Sequence, residues 1–258
     1  MNAEREDLAG VSAAGAAGGA LVAYRVWDGP TRGVHWINAV SVLGLILVGL
    51  LILFAGALGM SPAGRVTVKA IHVWLGYVMT LNLLWRFVWA SLGNRYARWR
   101  AILPMGPGYL RALEAYVSAF LAGHPRHYLG HNPVGRLAVL AILVLLVIQA
   151  VTGLVLAGTD IFYPPFGHWI AQWIAAPNVD PATLTPLSSD LFDPGAYAAM
   201  RAFRGPFIEV HEFVFYALAA LVVLHLAAVV VTELREGGTI VSAMFTGRKI
   251  LLGRPEDL

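Results

Sequence analysis

The sequence predicts an all-α integral membrane protein, a four-helix bundle with both its N- and C-termini on the cytoplasmic side. Three observations carry that expectation. First, 58% of the 258 residues are hydrophobic and 13% are charged, against roughly 25% charged in a soluble globular chain. Too few polar groups remain to cover a water-facing surface, and the mean hydropathy of +0.68 points the same way. Second, four stretches are long and apolar enough to span a bilayer, which takes about 20 residues at 1.5 Å rise each. Third, these runs are continuous and do not alternate, which excludes the closed β-barrel, the other spanning architecture.

Taken in order, residues 1–23 read as a flexible Ala/Gly-rich tail, since they lack the basic start and compact Leu-rich core of a signal peptide. The transmembrane domain is expected over 24–251, followed by a short tail, 252–258. The first span is expected over 36–58 and carries no charge. The second, 70–90, is interrupted only by Arg86. The third covers 137–157, and the fourth covers 207–231 with Glu209 and Glu212 in its first turns.

The connection from Gly93 to Pro133 carries Arg95, Arg98, Arg100, Arg111 and Arg126 against Glu114. The positive-inside bias therefore places it in the cytoplasm, and with four spans both termini follow. Within it, Gly108 to Ala122 has Tyr109, Leu113, Tyr116 and Phe120 at helical spacing, the pattern of a surface helix. The opposite connection, Thr159 to Pro206, holds Asp160, Asp180, Asp190 and Asp193 against Arg201 and Arg204. Residues 166–174, rich in Trp, read as an interfacial helix. The remainder reads as irregular and too long for a hairpin, which suggests contact with a partner.

The chain contains no Cys, which excludes disulfides, thiolate nucleophiles, iron–sulfur ligation and covalently attached c-type haem. The net charge of +3 is too small and scattered for nucleic-acid binding. Lipid is the expected solvent of the spans.

Chemistry is concentrated in the histidines. Of eight, His124, His127, His131 and His168 fall in connections, where a solvated role is the default. His35, His72, His211 and His225 fall in the spans or their first turns, where an ionisable or metal-binding side chain is costly and by default functional. Depth sorts these four. His35 starts the first span at the cytoplasmic face, while His72 and His211 start the second and fourth at the far face. His225 follows His211 by 14 residues, about 21 Å along a helix and close to four turns, so it returns to the cytoplasmic half on nearly the same face. Two pairs result: His35 with His225, and His72 with His211.

Two facing imidazoles with little else polar nearby suit bis-histidine ligation of a b-type haem, whose porphyrin supplies the four equatorial nitrogens. Zinc would call for more protein ligands at each depth. Two haem b groups are therefore expected. Gly49 and Gly76, near the far pair, would let a flat ring approach the backbone. Arg86 and Arg32 are candidates to pair with a propionate of the cytoplasmic-side haem; the alternative is that each marks the membrane boundary and snorkels. Met79 reads as packing. The other reading of four intramembrane His is a haem-free anchor or transporter. A proton relay would call for mid-span acids, and the span interiors show Asn38, Asn82, Gln149 and Thr152 instead.

At these residues the chain resembles the b-type cytochrome subunit of nickel–iron hydrogenases and, more broadly, the prokaryotic cytochrome b561 family. The resemblance rests on Arg32-Gly-Val-His-Trp36, His72-Val-Trp-Leu-Gly76, Leu84-Trp-Arg-Phe-Val-Trp89, Gly130-His-Asn-Pro-Val-Gly135, Thr152-Gly-Leu154, the His211–His225 spacing and Ser242-Ala-Met-Phe-Thr-Gly247. It covers about 24–251. It implies a four-helix, di-haem electron-transfer subunit of an oxidoreductase complex in the bacterial inner membrane. Such a subunit takes electrons from a periplasmic redox partner and passes them to a quinone, menaquinone or ubiquinone, at the cytoplasmic side. The implied haem ligands map to His35, His72, His211 and His225, with the pairing that depth gives. The implied quinone site falls near Gly130 to Gly135, which makes His131 and Asn132 candidates for quinone contact. The alternative for Asn132 is a helix cap ahead of Pro133. The far-side connection is longer and more acidic than the hydrogenase subunit leads one to expect. The partner is then a hydrogenase, another dehydrogenase or a c-type cytochrome, and an oligomer stays open.

Overall fold

The computed structural model describes residues 21–124, 126–236, 239–252 and 254–258. Four of its helices are long and apolar enough to cross a membrane: α1 (Gly29–Leu53), α2 (Pro62–Leu92), α5 (Pro133–Ile161) and α7 (Pro194–Glu236). The chain is a multi-pass, all-α membrane bundle. Between the long helices lie α3 (Trp99–Ile102), α4 (Tyr109–Leu121) and α6 (Gly167–Ile174), with α8 (Ile240–Thr246) after α7. The two strands β1 (Leu21–Arg25) and β2 (Arg248–Leu252) pair antiparallel, Ala23 opposite Ile250. The end of the bundle that carries this strand pair is called proximal below, and the other end distal.

Each long helix starts where its cap chemistry dictates. Asp28, Ser61 and Asn132 precede Pro at the first helical turn, and each side chain accepts a hydrogen bond from a backbone N–H three residues on. Fixed φ and a missing N–H suit Pro to that position. Asp28 also accepts from Trp89 Nε1 at 3.2 Å and from the Asn94 backbone N–H at 3.3 Å, which ties the start of α1 to the end of α2. In mid-bundle, Asn82 Nδ2 donates to the Val34 carbonyl at 2.9 Å and to Asn38 Oδ1 at 2.8 Å, a polar join between α2 and α1. Val42, Met79, Leu83, Leu143, Leu146 and Leu218 form the buried core at this depth, so Met79 is a packing residue. Helix α1 packs on α2, α2 on α5, and α5 on α7.

The helices exceed the expected spans at nearly every end. Helix α7 begins at Pro194 rather than near 207 and carries Pro206 inside it. Its 43 residues would run about 64 Å at 1.5 Å rise, roughly twice the hydrocarbon thickness. Apolar runs mark only the lipid-buried part of a helix. The Asp193 side chain accepts from the Ala196 N–H at 2.7 Å and starts the helix well outside that part. The distal connection is correspondingly less irregular than expected. Helix α6, an Ala175–Phe192 bridge and the start of α7 enclose a small core of Ile170, Ala171, Ile174, Leu184, Phe192 and Met200.

Most of the expected N-terminal tail, 1–20, lies outside the described residues, but Leu21–Ala23 belong to β1 rather than to a tail. Pairing with β2 gives hydrogen-bond partners to alternate residues of the strand. In the C-terminal tail, the Asp257 carboxylate accepts from the backbone N–H groups of Leu129 at 2.6 Å and Gly130 at 2.8 Å. It therefore fastens the chain end to the proximal connection.

Candidate functional site

In the distal half, the four long helices enclose a mostly apolar cavity of about 220 Å³. His72 of α2 and His211 of α7 face each other across it, ring centroids 6.3 Å apart and planes inclined by 71°. A metal held between two imidazoles by bonds of about 2 Å each would separate the ring centres by roughly 6 Å. The observed spacing is compatible with both imidazoles holding one metal ion between them.

The surroundings of the two rings explain their poise. On α5, Thr152 Oγ1 lies 2.8 Å from His211 Nδ1 and itself donates to the Ile148 carbonyl at 2.7 Å. The hydroxyl proton is thus committed, so Thr152 accepts from His211 Nδ1–H, and Nε2 keeps its lone pair for a metal. A partner on the non-ligating nitrogen is the usual device that orients a ligand histidine. Gln149 Nε2 donates to the His211 backbone carbonyl at 3.1 Å, fixing the same turn of α7 from the same helix. His72 Nδ1 is buried with no hydrogen-bond partner among the described residues. Two glycines admit the rings: a Cβ on Gly49 would lie 3.5 Å from His72 Cε1, and one on Gly153 would lie 3.3 Å from His211 Cε1. Gly76 lines the cavity, and a Cβ there would meet nothing within 4 Å. The donor set and the apolar walls fit a bis-histidine haem b. Among the described residues no three His, Asp or Glu side chains converge as a metal set.

Thr152→Val keeps the shape and removes the acceptor for Nδ1–H. A haem held by His211 would then be expected to bind about tenfold more weakly or worse, the usual effect of losing such a partner. Haem retention during dialysis against apomyoglobin measures it.

At the proximal end, His35 and His225 lie close enough to interact electrostatically, without the edge-to-face ring contact that the distal pair makes. His35 Nδ1 is buried with no hydrogen-bond partner among the described residues. Arg32 donates to the Phe245 carbonyl. Trp36 Nε1 donates to the Met244 carbonyl at 3.0 Å, so α8 closes over this end of α1. Arg86 does not snorkel: it is 9% exposed and both terminal nitrogens donate to the Ala97 carbonyl at 3.2 Å.

His131 lines a more polar proximal cleft of about 460 Å³, together with Tyr109, Tyr128, Arg95 and Arg136. Its ring leans on Trp27 at 5.1 Å, and its Nδ1 has no partner among the described residues. Burial, reinforced by the positive charges of Lys249, Arg86 and Arg136 and by His225, pushes its imidazole down to about 3. It is therefore neutral at physiological pH, able to exchange hydrogen bonds but not to supply a proton. Asn132 behaves differently. Its Oδ1 caps α5 on the Gly135 N–H at 2.7 Å, and its Nδ2 donates to Tyr116 Oη at 2.6 Å. Both ends of that side chain are occupied, as the cap reading expects.

The contributions of Gly153, Thr152 and Gln149 to the distal site were not among the candidates. Mid-span Thr and Gln in an apolar run were the available signal. Their partner, His211, is 59 and 62 residues away, so no local pattern links them.

Comparison with known proteins gives consistent results. The family model described as prokaryotic cytochrome b561 matches residues 26–247. A protein of Rhizobium leguminosarum bv. viciae described as a probable Ni/Fe-hydrogenase B-type cytochrome subunit is 26% identical over 249 residues, 90% of each chain. Its counterpart in Bradyrhizobium diazoefficiens is 27% identical over 237 residues, 87% of this chain and 85% of that one. A probable Ni/Fe-hydrogenase 1 B-type cytochrome subunit of Escherichia coli is 30% identical over 148 residues, 53% of this chain and 61% of that one.

Proposed function

The chain belongs to the prokaryotic cytochrome b561 family, and on that premise we propose that it is a di-haem cytochrome carrying electrons across the bacterial inner membrane between a periplasmic redox partner and the quinone pool. As a family member it is a b-type cytochrome of membrane electron transport. The observation that carries the finer reading is the His72–His211 pair, 6.3 Å apart in an apolar cavity. These two histidines hold one haem, and His35 with His225 hold the other. Bound haem supplies reversible one-electron chemistry at its iron, and the protein sets its position and potential.

The chain's own residues do the rest. Thr152 fixes the His211 tautomer, Gly49 and Gly153 admit the imidazoles, and the apolar walls exclude water. The arginine-rich proximal connection supports a cytoplasmic position for that end. The folded distal cap, with Trp169 and Trp173 exposed, then faces the periplasm, where the partner docks. The relatives' description as hydrogenase subunits supports a hydrogenase as that partner. At the proximal end, neutral His131, which lines this cleft, is the residue we assign to donate an N–H hydrogen bond to a quinone oxygen. Asn132 acts there through the cap rather than through direct contact.

Addition of quinol to membranes should reduce the haems. His131→Ala should slow that reduction by about tenfold, the weight of one buried hydrogen bond, with haem content unchanged. Unchanged reduction kinetics would remove His131 from the quinone site. Complete absence of quinol-driven reduction in the unaltered protein would remove the quinone and favour a soluble c-type carrier.

A further inference from the structure

Lys69 of α2 and Asp160 of α5 line the His72–His211 cavity, as does Glu212 of α7, and Arg204 of α7 reaches Asp160. Lys69 precedes His72 by three residues on α2, Arg204 precedes His211 by seven on α7, and Asp160 follows Gly153 by seven on α5. Spacings of three and seven keep each on about the face of the residue it accompanies. Asp160 accepts from Lys69 Nζ at 2.6 Å, from Arg204 Nε, and from Arg204 Nη2 at 3.0 Å. The Asp160 side chain is 13% exposed, and that of Lys69 is 33% exposed.

Two cations share one carboxylate, so the triad itself carries one excess positive charge; Glu212, the other acid lining the cavity, accepts from Tyr216 Oη at 3.4 Å and forms no ion pair with Lys69 among the described residues. Arg204 is engaged two-pronged by Asp160. Lys69 is the member with capacity to spare, because an ammonium has three donors and Asp160 is its one partner among the described residues. Lys69 also lines the cavity. A cation so placed, with its side chain 33% exposed and two donors to spare, can take a second anion. The group whose axial ligands lie next to it is anionic at one edge, where a haem bears two propionates.

We propose that Lys69, held in place by Asp160 and Arg204, is the cation that anchors a propionate of the haem seated on His72 and His211. Asp160 is then a positioning residue. It orients Lys69 from within electrostatic reach of His211. This inference rests on the bis-histidine reading of the distal pair.

The test is an optical redox titration of purified protein carrying Lys69→Met, Lys69→Arg or Asp160→Asn, with haem counted in each. Reduced haem is one charge more negative, so a neighbouring cation stabilises it. Lys69→Met should lower the midpoint of the distal haem, changing the oxidised-to-reduced ratio at a fixed potential by about tenfold, the scale of one charged hydrogen bond. Lys69→Arg should restore it, Asp160→Asn should raise it, and the proximal haem should stay in place throughout. Loss of the distal haem in Lys69→Met but not in Lys69→Arg would equally support the assignment. An unmoved distal midpoint with both haems retained, equal movement of both midpoints, or the same loss in Met and Arg variants would each overturn it. A failure of the underlying reading would look different: unaltered protein would contain no haem that His72→Ala removes.

Discussion

Replacing His72 or His211 by Ala should remove the same haem, and replacing His35 or His225 should remove the other. Each single variant is expected to lose half of the bound haem, and the pair His72→Ala with His211→Ala should lose no more than either alone. The reasoning is structural. The distal imidazoles meet at 6.3 Å across one cavity, so on the proposed reading they would hold one haem together. The proximal histidines lie on α1 and in the later turns of α7, where His225 follows His211 by 14 residues. Absorbance spectra and haem content of the four variants provide the check. If His72→Ala and His211→Ala removed spectrally different haems, the pairing would be wrong.

Gly76→Leu should exclude the distal haem while leaving the bundle folded. A Cβ at Gly76 meets no atom within 4 Å, and the residue lines the cavity. The added side chain therefore enters the cavity, the proposed haem space, without displacing protein. Gly56→Leu is the matched control, because Gly56 also meets nothing within 4 Å but lies outside the lining. The expected outcome is one haem per chain for Gly76→Leu and two for Gly56→Leu, with equal helical circular dichroism. Retention of two haems by Gly76→Leu would place the cofactor elsewhere. Gly153→Ala would act by another route, since its Cβ presses on the His211 ring at 3.3 Å.

The sequence makes the bundle legible because lipid imposes a simple rule: long apolar runs must be helices. The same rule makes an intramembrane histidine conspicuous, so residues that lie far apart in sequence could be sorted by depth alone. Where helices leave the lipid the rule lapses. The start of α7 at Pro194 lies among charged and small residues that hydrophobicity does not mark. The core around Ile174, Phe192 and Met200 then folds what read as an irregular connection. Strand β1 was hidden for a related reason. Five residues give no strong local signal, and their partner β2 lies at the other end of the chain.

The polar detail of the distal site was equally out of reach. Lys69 and Asp160 are 91 residues apart, and Thr152 and His211 are 59 apart. Asp160 and Arg204 read as ordinary loop charges until the helices that carry them were assembled. Arg86 shows the reverse case. Its position near the end of a span admitted a snorkelling role, yet the turn at Ala97 folds back and buries it.

The most direct test of the di-haem account is a pyridine haemochrome assay on the purified chain with its protein concentration measured independently. The account predicts a b-type spectrum and two haems per chain, bound non-covalently and extractable into acidified organic solvent, as the absence of Cys requires. One haem per chain would contradict the two-pair assignment, and none would contradict the haem reading of the four histidines altogether.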